Sequence, residues 1–408
     1  MTAILLTVGD EILLGQIVDT NAAWLGDRLA ASGVNLVRHE TVADTMEAIT
    51  DALARAEADL VVVTGGLGPT HDDLTRDALA QYLGAALHRD DDVMAVLEER
   101  YTRRGRVLSK MRKRMADVPD GAEVLPNPKG AAPGLWAEQD GRVFVALPGV
   151  PYEMKAIWRE SAEQRIDALR PGAVVHRTLL TVGKGESDIA ADLGGLAEAP
   201  GEGVGLAFLP NLGTVRIRLT AKGEDLEDAR RRVDEAAERI RESLGLLVFG
   251  EGATTLEAVV GRLLQARGWT VALGESCTGG AAAARLTRIP GASAYVRGGV
   301  VAYSNAVKHS ALGVPMDLIE AHGAVSEPVA LAMARGARDR LGATVGVATT
   351  GVAGPSGGSE EKPVGTVWIA YASADDERAV RFVFTDDRAL NIGLTTTAVL
   401  DLLRRQLL

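Results

Sequence analysis

The sequence predicts an α/β protein in three parts, with an α/β domain at each end and a small α+β module between them. Three observations carry this. Apolar strand-like runs alternate with helix-like runs over residues 1–171 and again over 251–408, the pattern of a parallel, doubly wound sheet. Residues 172–250 break that pattern with two alternating segments around a turn and one long charged helix. The chain has 408 residues, with 46 glycines and only 4% aromatics. It is too long for one ordinary core, and Ala, Val, Leu and Gly build tight-turned α/β sheets rather than an aromatic-rich sandwich.

In the first part, Ala3–Val8, Val34–Val42, Leu60–Thr64 and Val143–Leu147 read as strands. Asn21–Ala31, Thr45–Ala58, Leu74–Leu83 and Tyr152–Leu169 read as helices. Pro171-Gly172 marks a boundary. In the module, Arg177–Val182 is a strand and Glu186–Leu196 a helix. Val204–Leu209 and Thr214–Leu219 pair around Pro210-Asn211, and Asp225–Leu244 is a charged helix. In the last part, Thr270–Leu273, Tyr295–Ala302, Val345–Thr349, Thr366–Ala372 and Ala379–Phe384 are strands. Leu256–Arg267, Thr278–Thr287, Pro328–Leu341 and Leu390–Leu407 are helices.

A net charge of −11 repels polyanions, so nucleic acid is not the expected partner. Local amides and cations still allow small phosphorylated ligands. The single cysteine, Cys277, excludes an intrachain disulfide and a thiolate zinc site. The apolar start, Met1 to Val8, lacks a basic flank and runs into Gly9-Asp10-Glu11, so a first strand fits better than a signal peptide. No membrane span is expected, and the cytoplasm is the expected compartment. The basic run Arg100, Arg103, Arg104, Arg106, Lys110, Arg112, Lys113 and Arg114 is either a solvated face or a funnel for an anionic substrate.

Three strands of the first part end in polar loops: Gly9-Asp10-Glu11, Gly65-Gly66-Leu67-Gly68 through Asp73, and Pro148-Gly149-Val150-Pro151. Ligands of open α/β sheets sit outside such strand ends. The glycine-rich amides suit a phosphate. Asp10, Glu11, Asp72 and Asp73 are hard oxygen donors for Mg²⁺, Mn²⁺ or a similar ion, which would bridge a pyrophosphate and activate water. Asp73 could equally cap the next helix, and His71 reads as a loop residue.

The last part repeats the device. One strand leads into Gly274-Glu275-Ser276-Cys277-Thr278-Gly279-Gly280, another into Tyr303-Ser304-Asn305 and Lys308, a third into Thr350-Gly351 and on to Gly358. Ser276 at a strand-to-helix turn is placed as a nucleophile whose following amides stabilise an oxyanion. No histidine is evidently placed to serve it. Lys308 can, if burial lowers its pKa, with Tyr303 relaying the proton. This is Ser–Lys amidase logic. The bland alternatives are a helix cap for Ser276 and a surface charge for Lys308. Cys277 is a rival nucleophile, or a buried structural thiol.

Gly65-Gly66-Leu67-Gly68, Asp73-x-Thr75 and Pro148-Gly149-x-Pro151 resemble the molybdopterin-binding fold of the MoaB/MogA type. Gly9-Asp10-Glu11-Ile12-Leu13-Leu14-Gly15, Asp19-Thr20-Asn21 and Leu147 to Met154 resemble the CinA, or competence/damage-inducible, family. So do Glu275 to Gly280, Tyr303-Ser304-Asn305-x-Val307-Lys308 and Thr349 to Pro355. The resemblance spans the chain. It implies a KH-like middle domain, with boundaries at 1–171, 172–250 and 251–408. At the first site it implies an ADP-ribose pyrophosphatase, releasing AMP and ribose 5-phosphate. Asp10, Glu11 and Asp73 would hold Mg²⁺, Mn²⁺ or Co²⁺, with potassium assisting. Asn21, Gly65, Gly66, Gly68, Pro148 and Gly149 would hold substrate. At the second it implies metal-free deamidation of nicotinamide mononucleotide by Ser276, Tyr303 and Lys308, with Thr278, Gly279, Gly280, Thr350, Gly351 and Arg388 binding substrate. A homodimer is implied.

Two departures from the family stand out. Met111-Arg112-Lys113-Arg114-Met115 replaces an Asn-Arg-Lys-Gln-Ala pattern, and Asp386-Asp387-Arg388 replaces Gly-Asp-Arg. The Gly183-Lys184-Gly185 turn lacks the Gly-x-x-Gly form of RNA-binding KH domains. Glu224, Asp225, Glu227, Asp228, Asp234, Glu235 and Glu238 oppose a polyanion, so a spacer or dimerisation role is expected of the module. The competing readings are a first domain that only binds a pterin or nucleotide, and a nucleic-acid-associated adaptor.

Overall fold

The computed structural model describes residues 1–103, 105–169, 173–223 and 225–408. Arg104, the Pro171-Gly172 boundary and Glu224 lie outside the described residues. The chain forms two compact units, Met1–Val175 with Lys222–Ala229, and His176–Ala221 with Arg230–Leu408. No described helix is long and apolar enough to cross a membrane.

The first unit holds six strands in the order Asn35–Val42, Thr2–Val8, Leu60–Thr64, Arg142–Leu147, Gly134–Gln139, Glu123–Leu125. The first four are parallel neighbours; the last two pair antiparallel. The sheet is therefore mixed, where the alternation of elements predicted a parallel one. The missed hairpin has a legible cause. Asp140-Gly141, both at positive φ, joins strands paired at Gln139 and Arg142, the Asp-Gly signal of a two-residue turn. Strand alternation divides the core into two layers. Leu60 and Val62 join Leu5, Leu25 and Trp158 on one face; Val61 and Val63 join Ile4, Leu6 and Ile49 on the other. A strand buried on both faces reads as a continuous apolar run, which is why Leu60–Thr64 was located to the residue.

In the second unit a four-stranded sheet runs Val204–Asn211, Thr214–Gly223, Ala173–Val182, Val248–Glu251. The hairpin turns at Leu212-Gly213 rather than Pro210-Asn211, since Asn211 pairs with Thr214 and Gly213 takes the positive φ. The expected helix Glu186–Leu196 breaks at Gly194, again at positive φ. The long helix Leu226–Leu244 buries Val233, Ala236, Ala237, Ile240 and Leu244 along one stripe.

A five-stranded sheet follows, in the order Val296–Val301, Val271–Glu275, Val345–Gly351, Thr366–Ala372, Glu377–Val383. The first three are parallel and the rest antiparallel. One face is large and branched, with Val271, Leu273, Val347 and Ile369. The other is largely alanine: Ala272, Ala348, Ala370 and Ala372 against Ala330, Ala334 and Ala337 of the helix Glu327–Leu341. Small residues let that helix lie close; a Cβ on Gly346 would come within 2.0 Å of the Ala334 carbonyl oxygen.

Candidate functional site

Register sets the first site. Thr7 lies beside Thr64, Thr64 beside Leu147, and Val8 beside Val42. The following loops leave one sheet edge together and surround a cavity of about 630 Å³, lined among others by Glu11, Asn21, Asp44, Asp73, Gly149 and Glu153. The glycines are needed where they stand: a Cβ on Gly65 would lie 2.2 Å from the Val8 carbonyl oxygen, and on Gly66 2.3 Å from Thr75 Oγ1. Among the described residues the Gly66, Leu67 and Gly68 amides have no acceptor, leaving them for an anion. Asn21 is buried; its Nδ2 donates to the Gly149 carbonyl (2.7 Å) and to Thr64 Oγ1 (3.3 Å), while its Oδ1 is buried without a partner. Thr64 Oγ1 donates to the Pro148 carbonyl. Asn21 and Pro148-Gly149 thus tie the loops together.

Among the described residues no three His, Cys, Asp or Glu side chains are grouped to hold an ion. The Asp10 carboxylate accepts the Asp44 amide at 3.3 Å, and the Asp44 carboxylate the Asp10 amide at 3.0 Å. Asp73 turns back on its own loop, accepting the amide and hydroxyl of Thr70. It is not the helix cap either; Leu74 holds that position without a side-chain bond. Asp44, overlooked in the sequence, has its pKa pushed up by burial and further by Asp10, Glu11 and Asp72, against the Asp10 amide. The basic run is largely spent locally: Arg114 pairs with Asp77, Arg103 with Glu99 and Lys113 with Glu98. Arg112 covers the ring of Tyr101, which lines the cavity.

The second site is also a register product. Glu275 lies between Val301 and Thr349, so Ser276, Ala302 and Thr350 emerge side by side. Ser276 is nearly buried, and its amide donates to the Thr349 carbonyl. Lys308 projects from the helix Asn305–Leu312 and is 2% exposed. Its Nζ lies 2.9 Å from Ser276 Oγ, 2.9 Å from the Ala302 carbonyl and 3.4 Å from the Tyr303 carbonyl. Burial holds the ammonium below the usual lysine range, slightly opposed by Cys277. A neutral amine has two hydrogens and a lone pair. As placed, Nζ donates to Ser276 Oγ and to both carbonyls; a neutral amine would keep two of these as donor and turn its lone pair to the Ser276 hydroxyl. Cys277 is buried, and that burial pushes its thiol up to about 12, so it is a poor nucleophile near neutrality.

Three family models match: the CinA C-terminal domain over residues 253–407, a probable molybdopterin binding domain over 4–168, and the damage-inducible protein CinA KH domain over 176–250. A CinA-like protein of Salinibacter ruber is 50% identical over 100% of both chains. One of Cytophaga hutchinsonii is 41% identical over 99% of this chain and 97% of its own. The chain belongs to the CinA family. A solved CinA of unknown function from Thermoplasma acidophilum is 39% identical, with a TM-score of 0.39 over 40% of this chain and 97% of that one.

Within this CinA-family chain, the remaining expected residues make the following contacts. Tyr303 is 60% exposed and its hydroxyl accepts from Arg388 Nη2 at 2.9 Å. It reaches Lys308 through its carbonyl, so the hydroxyl relay is not formed. Arg388 also donates to the Gly354 carbonyl, bridging two loops of the rim. Thr350 Oγ1 donates to the Ala324 carbonyl at 2.7 Å. Gly351 is a packing glycine, whose Cβ would meet Val367 and Thr366. The helix expected from Thr278 starts at Ala281. Thr278 Oγ1 and the Gly280 amide are taken by Glu275, and the Gly279 amide by the Ser276 carbonyl. Among the described residues the Cys277 and Thr278 amides have no backbone acceptor. Glu275 lies within the motif, but its spacing alone predicts no role for it.

Proposed function

We propose that the C-terminal domain is a Ser–Lys amidohydrolase that deamidates nicotinamide mononucleotide to nicotinic acid mononucleotide and ammonia. The observation that carries it is the buried 2.9 Å contact between Lys308 Nζ and Ser276 Oγ. Neutral Lys308 takes the serine proton as Oγ attacks the carboxamide carbon. The oxyanion is met by the Cys277 and Thr278 amides. The lysine ammonium then protonates the departing nitrogen, releasing ammonia and leaving an acyl-serine, which water cleaves with Lys308 again as base. The test is ammonia release by wild type, Ser276→Ala, Cys277→Ala and Lys308→Ala. Full rate in Ser276→Ala with a dead Cys277→Ala would reverse the nucleophile.

A second reading concerns the N-terminal domain: hydrolysis of the pyrophosphate of ADP-ribose to AMP and ribose 5-phosphate. The free Gly66–Gly68 amides in a cavity of about 630 Å³ favour a phosphate there. A divalent ion would need phosphate oxygens and water to complete its shell. AMP release from ADP-ribose is measured with and without Mg²⁺, Mn²⁺ or Co²⁺. Tight nucleotide binding without turnover in any of them would leave a binding domain.

A further inference from the structure

Glu275 ends the strand Val271–Glu275 and directly precedes Ser276. Its side chain is 2% exposed. Oε2 accepts from Thr278 Oγ1 at 2.7 Å, the Gly280 amide at 3.0 Å and the Ala282 amide at 3.1 Å. Oε1 accepts from the Ala283 amide at 2.8 Å. Thr278 Oγ1 also lies 2.7 Å from Thr349 Oγ1, on the neighbouring strand whose carbonyl holds the Ser276 amide.

This is more than a helix start requires. A cap comes from the N-cap side chain and takes one or two amides; here the N-cap is Gly280, which has no side chain. The carboxylate instead reaches forward from the strand and closes residues 276–283 into a loop anchored at both ends. It fills the amides of Gly280, Ala282 and Ala283, so these cannot serve an oxyanion, and those of Cys277 and Thr278 are left.

We propose that Glu275 is a positioning residue for the nucleophile: its carboxylate clamps the turn that carries Ser276, keeping Oγ against Lys308 Nζ and the Cys277 and Thr278 amides open. This rests on the Ser–Lys reading above. It acts through geometry, since hydrogen bonds to the turn, and not a contact with Lys308, are what Glu275 makes.

The test uses the full chain. Glu275→Gln keeps the shape but sets an NH₂ against backbone donors. Per folded molecule, kcat on nicotinamide mononucleotide is expected to fall about 10- to 100-fold, the scale of a small misplacement of a reacting group, with KM little changed. The pH midpoint of the ascending limb stays where it is. Labelling of Ser276 by a fluorophosphonate, which needs no substrate, slows in parallel. Should Glu275→Gln fail to fold, Thr278→Ala removes one donor and is expected to lower kcat and labelling in the same sense. Undiminished kcat and labelling per folded molecule would reduce Glu275 to a structural cap and overturn the proposal. A displaced pH midpoint would overturn it in favour of a charge effect. Failure of wild-type Ser276 to label, or activity in Ser276→Ala, would instead sink the Ser–Lys reading.

Discussion

Ser276→Ala and Lys308→Met each delete one side of a single 2.9 Å contact, and their combination is the most demanding test of the dyad. General-base assistance contributes about 10²–10⁴-fold, so Lys308→Met should lose at least a factor of that order, roughly 3–5.5 kcal/mol of barrier, and Ser276→Ala, which removes the nucleophile itself, at least as much. The structure makes the two losses one loss. The Lys308 lone pair has one hydroxyl to meet, and no other titratable side chain bonds Ser276 Oγ among the described residues. The double variant should therefore be no slower than the slower single one, as for residues acting as a unit. Independent roles would multiply to about 10⁴–10⁸. The assay is the initial rate of ammonia release, normalised to folded protein from urea curves. Normalisation matters because Met keeps the stem but leaves the Ala302 and Tyr303 carbonyls short of a donor, at about 1–3 kcal/mol for a stranded group. A double variant tenfold slower than either single one, or Lys308→Met within tenfold of wild type, would refute the dyad.

Cys277→Ala should keep activity within about threefold, because a thiol pushed up to about 12 supplies little thiolate near neutrality; a dead variant would reopen its candidacy. Gly65→Ala should lower the urea midpoint and weaken nucleotide binding at the first site, since its Cβ would sit 2.2 Å from a backbone oxygen at φ +106°. Strain of about 1–3 kcal/mol is expected, and an unchanged midpoint would contradict the close approach. Activity should rise with pH through a midpoint below the ordinary lysine value, because the buried Lys308 releases its proton early. Below that midpoint activity is lost. The unfolded chain binds this proton more tightly than the folded one, so stability rises with pH between the folded and unfolded values; a limb at or above 10.5 would count against Lys308 as base.

The elements with periodic or continuous apolar patterns were legible, some to the residue, as Leu60–Thr64, Leu256–Arg267 and Thr366–Ala372 show. The antiparallel strands Glu123–Leu125 and Gly134–Gln139 were not: the first is only three residues long, and the second, Gly-Leu-Trp-Ala-Glu-Gln, shows neither alternation nor a branched apolar run. The gathering of the strand-end loops at one sheet edge was legible, because the loops follow parallel neighbouring strands. What those loops do with their side chains was not. The Asp73 turn back to Thr70, the Tyr303 hydroxyl on Arg388 and the Asp10–Asp44 exchange are set by loop conformation, which spacing does not encode. Glu275 was missed for a different reason. A carboxylate beside a serine reads as exposed charge, and only the turn that folds back over it makes it a buried acceptor.

The two α/β sites use one device and finish it differently. In each, parallel strands in register deliver glycine-rich loops to a shared edge. At the first, the loop amides after Gly65 are left without acceptors, and the acidic side chains stand around them rather than on them. That arrangement suits a ligand which brings its own negative charge, with carboxylate repulsion relieved only if a cation comes too. At the second, Glu275 consumes the helix-start amides, and Lys308 is buried beside Ser276, its pKa lowered by that burial. On the amidase reading proposed above, the Cys277 and Thr278 amides would meet a charge that develops on the oxygen of the amide under attack. Part of the difference lies in one side chain, since Glu275 takes the Gly280, Ala282 and Ala283 amides.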